Sequence, residues 1–384
     1  EQQKLKIKVF MKKKGATNMK HTVKKATSIL LAAGLLATGM TAFAADEHYP
    51  GFEVYYQEGQ PTADLEVEIT SEDEIMWTIA SCMTEENPQS QALQKIADDL
   101  AELTDGKFTW DIFFNSELGS ENEAVELVRN NTAQFVTSNV TVMPDYVERI
   151  GVYALPYLFH SAEDQLTYLA QSDIAHDMWK ELEEKANLVT LGFQCSGSRC
   201  LSTKGIDTIS TPEDLSGVKV RCMSAQVWQD VIESLGATPV PIAYTELYTA
   251  LQTGVVAGQD NPAGNTVDGK FYEVLDKFYE TQHCYLISAF YTNATAWSEL
   301  PDDYKSLLEA LMAKYLGDEY KVAIDAYTEE CYGIMEEAGV EIIGQDALDM
   351  DAFYAAANAM IDEKYMSNEA YASTIEDVKA YFGY

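Results

Sequence analysis

Two arginines, Arg199 and Arg221, stand 22 residues apart, each in or beside a short run of strand-forming residues. A guanidinium is permanently charged and presents a planar fork, so a pair converging on one cleft can grip a carboxylate through parallel charge-assisted hydrogen bonds. Arg221 lies inside the apolar run Val218-Lys219-Val220-Arg221-Cys222. A half-buried arginine there needs an anion, either a ligand carboxylate or an internal Asp or Glu, and spacing leaves both open. The second constellation is Gln259-Asp260-Asn261-Pro262 at the end of a predicted strand. Ligands of open α/β sheets bind beyond the carboxyl ends of strands, where Asn and Gln offer both donors and acceptors. A polar turn ahead of a proline is the plain alternative.

Other chemistries find no support. The sequence lacks His-Glu-x-x-His, Gly-x-Ser-x-Gly and Gly-x-Gly-x-x-Gly, so no enzyme is expected and no cofactor is implied. The stretch from Gly264 to Lys270 imitates a phosphate loop, but Phe271 stands where a Ser or Thr must hold magnesium. The five histidines are scattered, and the cysteines (82, 195, 200, 222, 284, 331) show no Cys-x-x-Cys and no zinc spacing. If Arg199 and Arg221 point into one cleft, alternation sends Cys200 and Cys222 to the opposite face, where they could bridge. A Cys195–Cys200 bridge and free buried thiols stand beside that pairing as equals.

The elements that must position these residues follow from the rest of the chain. Its 384 residues exceed what one core normally serves, so two lobes are expected. Met19 opens a basic stretch with Lys20, Lys24 and Lys25, followed by an apolar run from Ile29 to Met40 and then Ala42-Phe43-Ala44. That is the order of a secretory signal peptide cleaved after Ala44, and the apolar run is too short to span a bilayer. Residues before Met19 are set aside as upstream of the export signal. Beyond residue 44 remain 17 basic against 61 acidic residues. Such a surface repels nucleic acid and anionic membrane, yet screening lets a few enclosed arginines bind an anion locally.

Residues 45–74 hold ten acidic residues and no basic ones, which predicts an extended or loosely docked leader. From Ile75 on, strands alternate with amphipathic helices, the pattern of parallel sheets with crossover helices. Strands are expected at 74–81, 108–114, 188–195, 199–203, 218–222, 238–242 and 255–259. Helices are expected at 90–103, at 120–130 behind the capping box Ser120-x-x-Glu123, at 225–235 and at 245–253, with mostly helix after Pro301.

The run from Ser216 to Pro262, SGVKVRCMSAQVWQDVIESLGATPVPIAYTELYTALQTGVVAGQDNP, closely resembles the substrate-binding subunits of tripartite ATP-independent periplasmic (TRAP) transporters, the DctP type. Ser116-Glu117-Leu118-Gly119-Ser120, Gly197-Ser198-Arg199 and Thr211-Pro212-Glu213-Asp214-Leu215 extend the likeness over roughly residues 75 to 345. The resemblance implies an α/β, two-lobed, periplasmic-binding-protein-like (type II-like) fold, with a ligand cleft between the lobes and a helical C-terminal region. It places lobe I at 75–196 plus 287–326, and lobe II at 197–286 plus 327–384. By the same likeness Arg221 makes the principal salt bridge to a ligand carboxylate, Arg199 orients it, Asn261 completes the clamp and Tyr244 sets a ring against the ligand. Asn139 falls where some members carry an acid that reads the ligand's polar end. Asp260 sits where a glutamate is usual, and Ala257 replaces a common aspartate. The implied function is a periplasmic receptor, not itself membrane-spanning. It closes on a small organic acid and delivers it to the small and large membrane subunits of a TRAP transporter. The alternatives are a ligand-presenting receptor for a signalling protein and the binding protein of an ATP-driven importer.

Overall fold

The computed structural model describes residues 7–11 and 65–384. The expected signal peptide, Met19 to Ala44, lies outside the described residues. Strands run in chain order as β1 (Ile7–Met11), β2 (Leu65–Ile69), β3 (Ile75–Ala80), β4 (Phe108–Phe113), β5 (Phe135–Asn139), β6 (Leu188–Thr203), β7 (Lys219–Cys222), β8 (Thr238–Pro241), β9 (Gly258–Asn261), β10 (Lys277–Asn293) and β11 (Glu341–Ile343). The principal sheet has the order β4-β3-β5-β10-β6-β9-β7-β8, with β11 also paired to β10.

Parallel pairing holds within each outer set, β4-β3-β5 and β9-β7-β8, and crossover helices supply the connections. It fails at the centre, where β6 and β10 form a long antiparallel pair. At about 3.3 Å per residue these strands of 16 and 17 residues each run on the order of 50 Å. β5 pairs with β10 along 288–292, whereas β9 pairs with β6 along 200–203. The two outer sets therefore hang from opposite ends of one shared pair, and the cleft lies over the stretch between them.

The sequence suggested two strands at 188–195 and 199–203; the ladder with β10 makes them one. Gly197 allows the continuation, because its φ of +121° disfavours any other residue and a Cβ there would sit 3.1 Å from the Pro262 side chain. β9 also begins three residues later than expected.

The helices follow their capping signals. Pro88–Leu103 starts at Asn87, whose Oδ1 accepts the Gln89 N–H at 2.9 Å, and buries Leu93, Ile96 and Leu100. These pack with Trp77, Phe108, Tyr304, Leu308 and Leu311 into one core cluster. A second cluster gathers Trp228, Val231 and Ile232 of helix Gln226–Ser234 with Ile150, Val152 and the C-terminal helix Glu369–Phe382 through Ile375 and Val378.

The N-terminal region adds two strands to this frame. Residues 65–69 of the acidic leader are extended, as expected, but firmly docked: β2 buries Val67 and Ile69 in the first cluster. The Thr70 and Ser71 N–H groups donate to Asp303 at 2.6 and 2.7 Å. Alternating apolar residues outweigh the local acidity there. β1, from the segment set aside as upstream of the export signal, pairs in parallel with β2; Ile-Lys-Val-Phe-Met is a β-prone sequence.

All six cysteines are unpaired. The bridge argument needed Arg199 and Arg221 on one face of the sheet, and the register denies it. Arg221 faces Gln259 across the β7–β9 ladder and Cys200 faces Asn261 across β6–β9, so Cys200 shares a face with Arg221 and not with Cys222. Accordingly Cys200 packs with Phe278 and Cys331, while Cys222 packs with Val220 and Trp228. Titration of the denatured, unreduced protein with a thiol reagent should return six free thiols; four would reinstate a bridge.

Candidate functional site

A cavity of about 250 Å³ opens between the two strand sets. One side comes from Cys82 and Met83 after β3, from Ser116, Ser120, Glu121 and Asn122, and from Asn139 at the end of β5. The other comes from Arg221 and the residues after β7, from Ile242 and Tyr244 after β8, and from Asn261 and Asn265. Ser196, Arg199, Leu286 and Ser288 contribute from the shared central pair. Each outer set thus presents the carboxyl ends of its parallel strands, the position where α/β sheets bind ligands.

Arg199 and Arg221 are both almost wholly buried, at 1% and 3% exposure, yet their electrostatic situations differ. Arg199 Nε donates to Asp260 Oδ2 at 2.7 Å, a terminal nitrogen donates to the Asp260 carbonyl, and the guanidinium stacks 4.5 Å over the Trp228 ring. Its charge is already balanced. Burial alone would push the Asp260 carboxyl up, but Arg199 and His283 overcome that and hold it at about 2. His283 reaches the same carboxylate oxygen at 3.2 Å because four residues of β10, 280–283, lie opposite the single residue Cys200 of β6. Such a bulge re-aims side chains. Burial lowers the proton affinity of the His283 imidazole.

Arg221 has no such counter-ion. Its Nε donates to the Ile242 carbonyl at 2.8 Å, and among the described residues no carboxylate lies within ion-pair distance of it. Burial, then the neighbouring Arg199 charge, pushes it down to about 10, so it remains cationic at neutral pH. The cavity therefore holds at its edge one guanidinium with no contact counter-ion among the described residues, with Glu121 and Asp260 attracting it only from a distance.

Around it, Asn261 donates its amide to Gln259 Oε1. The Tyr244 hydroxyl donates to the Asn265 carbonyl at 2.6 Å, which fixes the ring edge-on against Phe271. Across the cavity Asn139 Oδ1 accepts from the Thr141 N–H and hydroxyl at 2.8 and 2.6 Å, while its buried Nδ2 has no hydrogen-bond partner among the described residues. Five of the six residues singled out from the sequence, Arg199, Arg221, Tyr244, Asn261 and Asn139, thus line one cavity. Asp260 does not, and that expectation is corrected: its side chain lies on the other face of β9 from Asn261, fully buried behind Arg199.

Glu121 was not singled out among the 61 acids, and it belongs to this site. It is the first residue of helix Glu121–Arg129, held there by Gly119 (φ +110°) and by the Ser120 N–H donating to Glu123 Oε2 at 2.8 Å. Its Oε1 accepts the Asn139 N–H at 2.6 Å and the Ser138 hydroxyl at 3.0 Å, which aims the carboxylate at the cavity wall. Burial raises its proton affinity, and those two donors oppose the rise. The capping box marked the helix start in the sequence, but nothing local showed that the first residue would meet the end of β5. His283, likewise missed, depends on a bulge that no local signal announces.

Outside the cavity a second set of groups joins the two sides. Asp268, on the short helix after β9, accepts from Asn87 Nδ2 at 2.7 Å and Thr84 Oγ1 at 3.2 Å, both from the loop after β3, and from the Tyr327 hydroxyl. Burial raises the proton affinity of this carboxyl. Among the described residues no cluster could hold a metal ion and no helix is long and apolar enough to cross a membrane.

Two lobes on a shared strand pair, with a half-enclosed cavity bearing a free guanidinium between them, define a solute-binding receptor. Residues 79–368 match the family described as bacterial extracellular solute-binding protein, family 7 (DctP), and the chain belongs to it. Among relatives, it is 28% identical to a solute-binding protein of Chromohalobacter salexigens over 76% of this chain and 85% of that one. It is 29% identical to the C4-dicarboxylate-binding periplasmic protein DctP of Rhodobacter capsulatus over 77% of this chain and 87% of that one. Among solved structures, a TRAP periplasmic solute-binding protein of Chromohalobacter salexigens with bound D-glucuronate superposes with a TM-score of 0.73 at 27% identity, covering 79% of this chain and 99% of that one. The family is extracytoplasmic, and its members are substrate-binding receptors of transporters rather than enzymes.

Proposed function

We propose that the cavity binds the carboxylate of a small organic acid through Arg221, with Arg199, Asn261 and Tyr244 orienting it and Asn139 offered from the opposite side. The observation that carries this is Arg221 itself, a buried cation with no carboxylate within ion-pair distance among the described residues. A ligand carboxylate supplies the missing counter-charge and accepts a planar fork of donors. Lobe I is taken as 75–196 plus 287–326 and lobe II as 197–286 plus 327–384, although the last helix also packs against residues 148–154. Closure of the lobes around the acid is favoured by contacts that both sides make only when shut. The closed, loaded form is then delivered to the small and large membrane subunits of a TRAP transporter. The signal peptide is removed after Ala44 on the way to the periplasm.

A thermal-shift screen of the purified chain against organic acids and their amides tests the carboxylate anchor. An acid at a hundred times its dissociation constant should add about 2.7 kcal/mol of stability, and its amide should add almost nothing. Equal shifts for acid and amide would overturn the assignment.

A further inference from the structure

The relatives carry names that point to both dicarboxylates and a sugar acid, so the family leaves the second end of the ligand open. The charges around this cavity are more decisive. Among the described residues that line it, the ionisable side chains are two arginines, Glu121, Asp145 and Glu246, apart from the neutral Cys82 and Tyr244, and no lysine or histidine joins them. One of the arginines, Arg199, already has its charge balanced by Asp260. A single guanidinium therefore remains to meet a single carboxylate. A second carboxylate would find no cation and would face Glu121, a like charge in an enclosed site.

The wall near Glu121 has a different affinity. Ser288 of β10 stands in register with Asn139 of β5 on one side and Gln194 of β6 on the other, so the three share one face of the sheet. Asn139 and Ser288 line the cavity. Asn139 Nδ2 and both polar atoms of the Gln194 amide are buried without a hydrogen-bond partner among the described residues, and the two residues are 4% and 1% exposed. Buried polar atoms of this kind are normally satisfied. Donors and acceptors in a row beside a fixed carboxylate suit hydroxyl groups, which can donate to Glu121 and accept from Asn139 at once.

Resting on the carboxylate anchor assigned to Arg221, we propose that the cavity is built for a polyhydroxylated monocarboxylate and against dicarboxylates, with Glu121 as the residue that selects between them. Glu121 accepts from a hydroxyl at the end of the ligand remote from the carboxylate and repels a carboxylate placed there. Gln194 acts behind this contact, through Ser288 or a bridging water.

The test is calorimetric titration of the full chain with three hexonates of different stereochemistry (gluconate, galactonate, mannonate), the corresponding hexarates, and succinate, repeated with Glu121→Gln. The glutamine keeps an acceptor for the Asn139 N–H, and the melting temperature of the ligand-free variant checks that the fold survives. The expected result is that the best hexonate binds at least tenfold tighter than its hexarate and than succinate. In Glu121→Gln the gap to the hexarate should shrink about tenfold, with the hexonate weaker and the hexarate stronger. Succinate or a hexarate binding as tightly as the best hexonate would overturn the selectivity while leaving the Arg221 anchor intact, as would an unchanged gap in the variant. If no hexonate binds, the substrate class is wrong. If no carboxylate in the set binds and Arg221→Ala alters nothing, the anchor falls with it.

Discussion

Replacing Arg221 by alanine should lower affinity for the acid more than about a hundredfold, a loss on the order of 3–5 kcal/mol. The guanidinium is buried and among the described residues has no carboxylate within ion-pair distance, so the whole charge-assisted pair with the ligand is lost, and the carboxylate is left to enter an enclosed site unpaired. The ligand-free protein should respond in the opposite sense. An unbalanced buried cation costs free energy in the empty receptor, so Arg221→Ala should melt no lower than the parent, and possession of the charge trades stability for binding. Calorimetric titration and ligand-free melting, read together, check both halves. A change in affinity below threefold would remove Arg221 from the clamp, whereas a large fall in ligand-free melting would show that it serves the fold.

Asp260→Ala should behave in the reverse manner, with its main effect on the fold. Asp260 and Arg199 form a fully buried pair, at 0% and 1% exposure. Removing one member strands the other charge, and such truncations cost about 3–5 kcal/mol. A urea titration of the ligand-free chain should show the midpoint fall accordingly; a midpoint within error of the parent would mean that Arg199 finds another partner. The same group sets an acid limit. Its folded-state carboxyl is held at about 2, below the unfolded value of about 3.9, so its contribution is complete above the unfolded value and is lost as pH falls toward the folded one. The His283 imidazole, whose proton affinity burial lowers, contributes earlier on the same descent. Below about 6.5 the unfolded chain takes up a proton that the folded state resists. Stability of the parent should therefore decline in two stages on acidification; His283→Gln should flatten the first and, because His283 also helps hold the Asp260 carboxyl down, start the second at higher pH.

Residues whose role depends on local order were legible in the sequence. Arg221 within an apolar strand, Asn261 at a strand end and Tyr244 at a helix start each announce their position through the few residues around them. Roles that arise from long-range register were not. Asp260 and Asn261 are neighbours in sequence, and only the pairing of β9 with β6 decides that Asn261 meets the cavity while Asp260 turns to Arg199. Glu121 acquires its place from an N–H 18 residues away. β6 is expected from the sequence as two strands, 188–195 and 199–203, and β10 is not expected at all; pairing between the two makes each continuous. The parallel outer sets were expected from alternation, but an antiparallel centre leaves no local trace, since strand direction is a property of pairs.

The hydrogen bonds that Asp268 accepts from Asn87 and Thr84 span the cleft without touching its contents. They stabilise the shut form equally whether the cavity is full or empty, so they add nothing to the ratio between the two. A membrane partner that recognises the shut form would receive them as background, an unladen receptor presenting the same outline as a laden one. The burial that makes the Asp268 carboxylate harder to ionise works against this latch. Fidelity of delivery then depends on how far the ligand's own contacts outweigh a fastening that cannot tell cargo from vacancy.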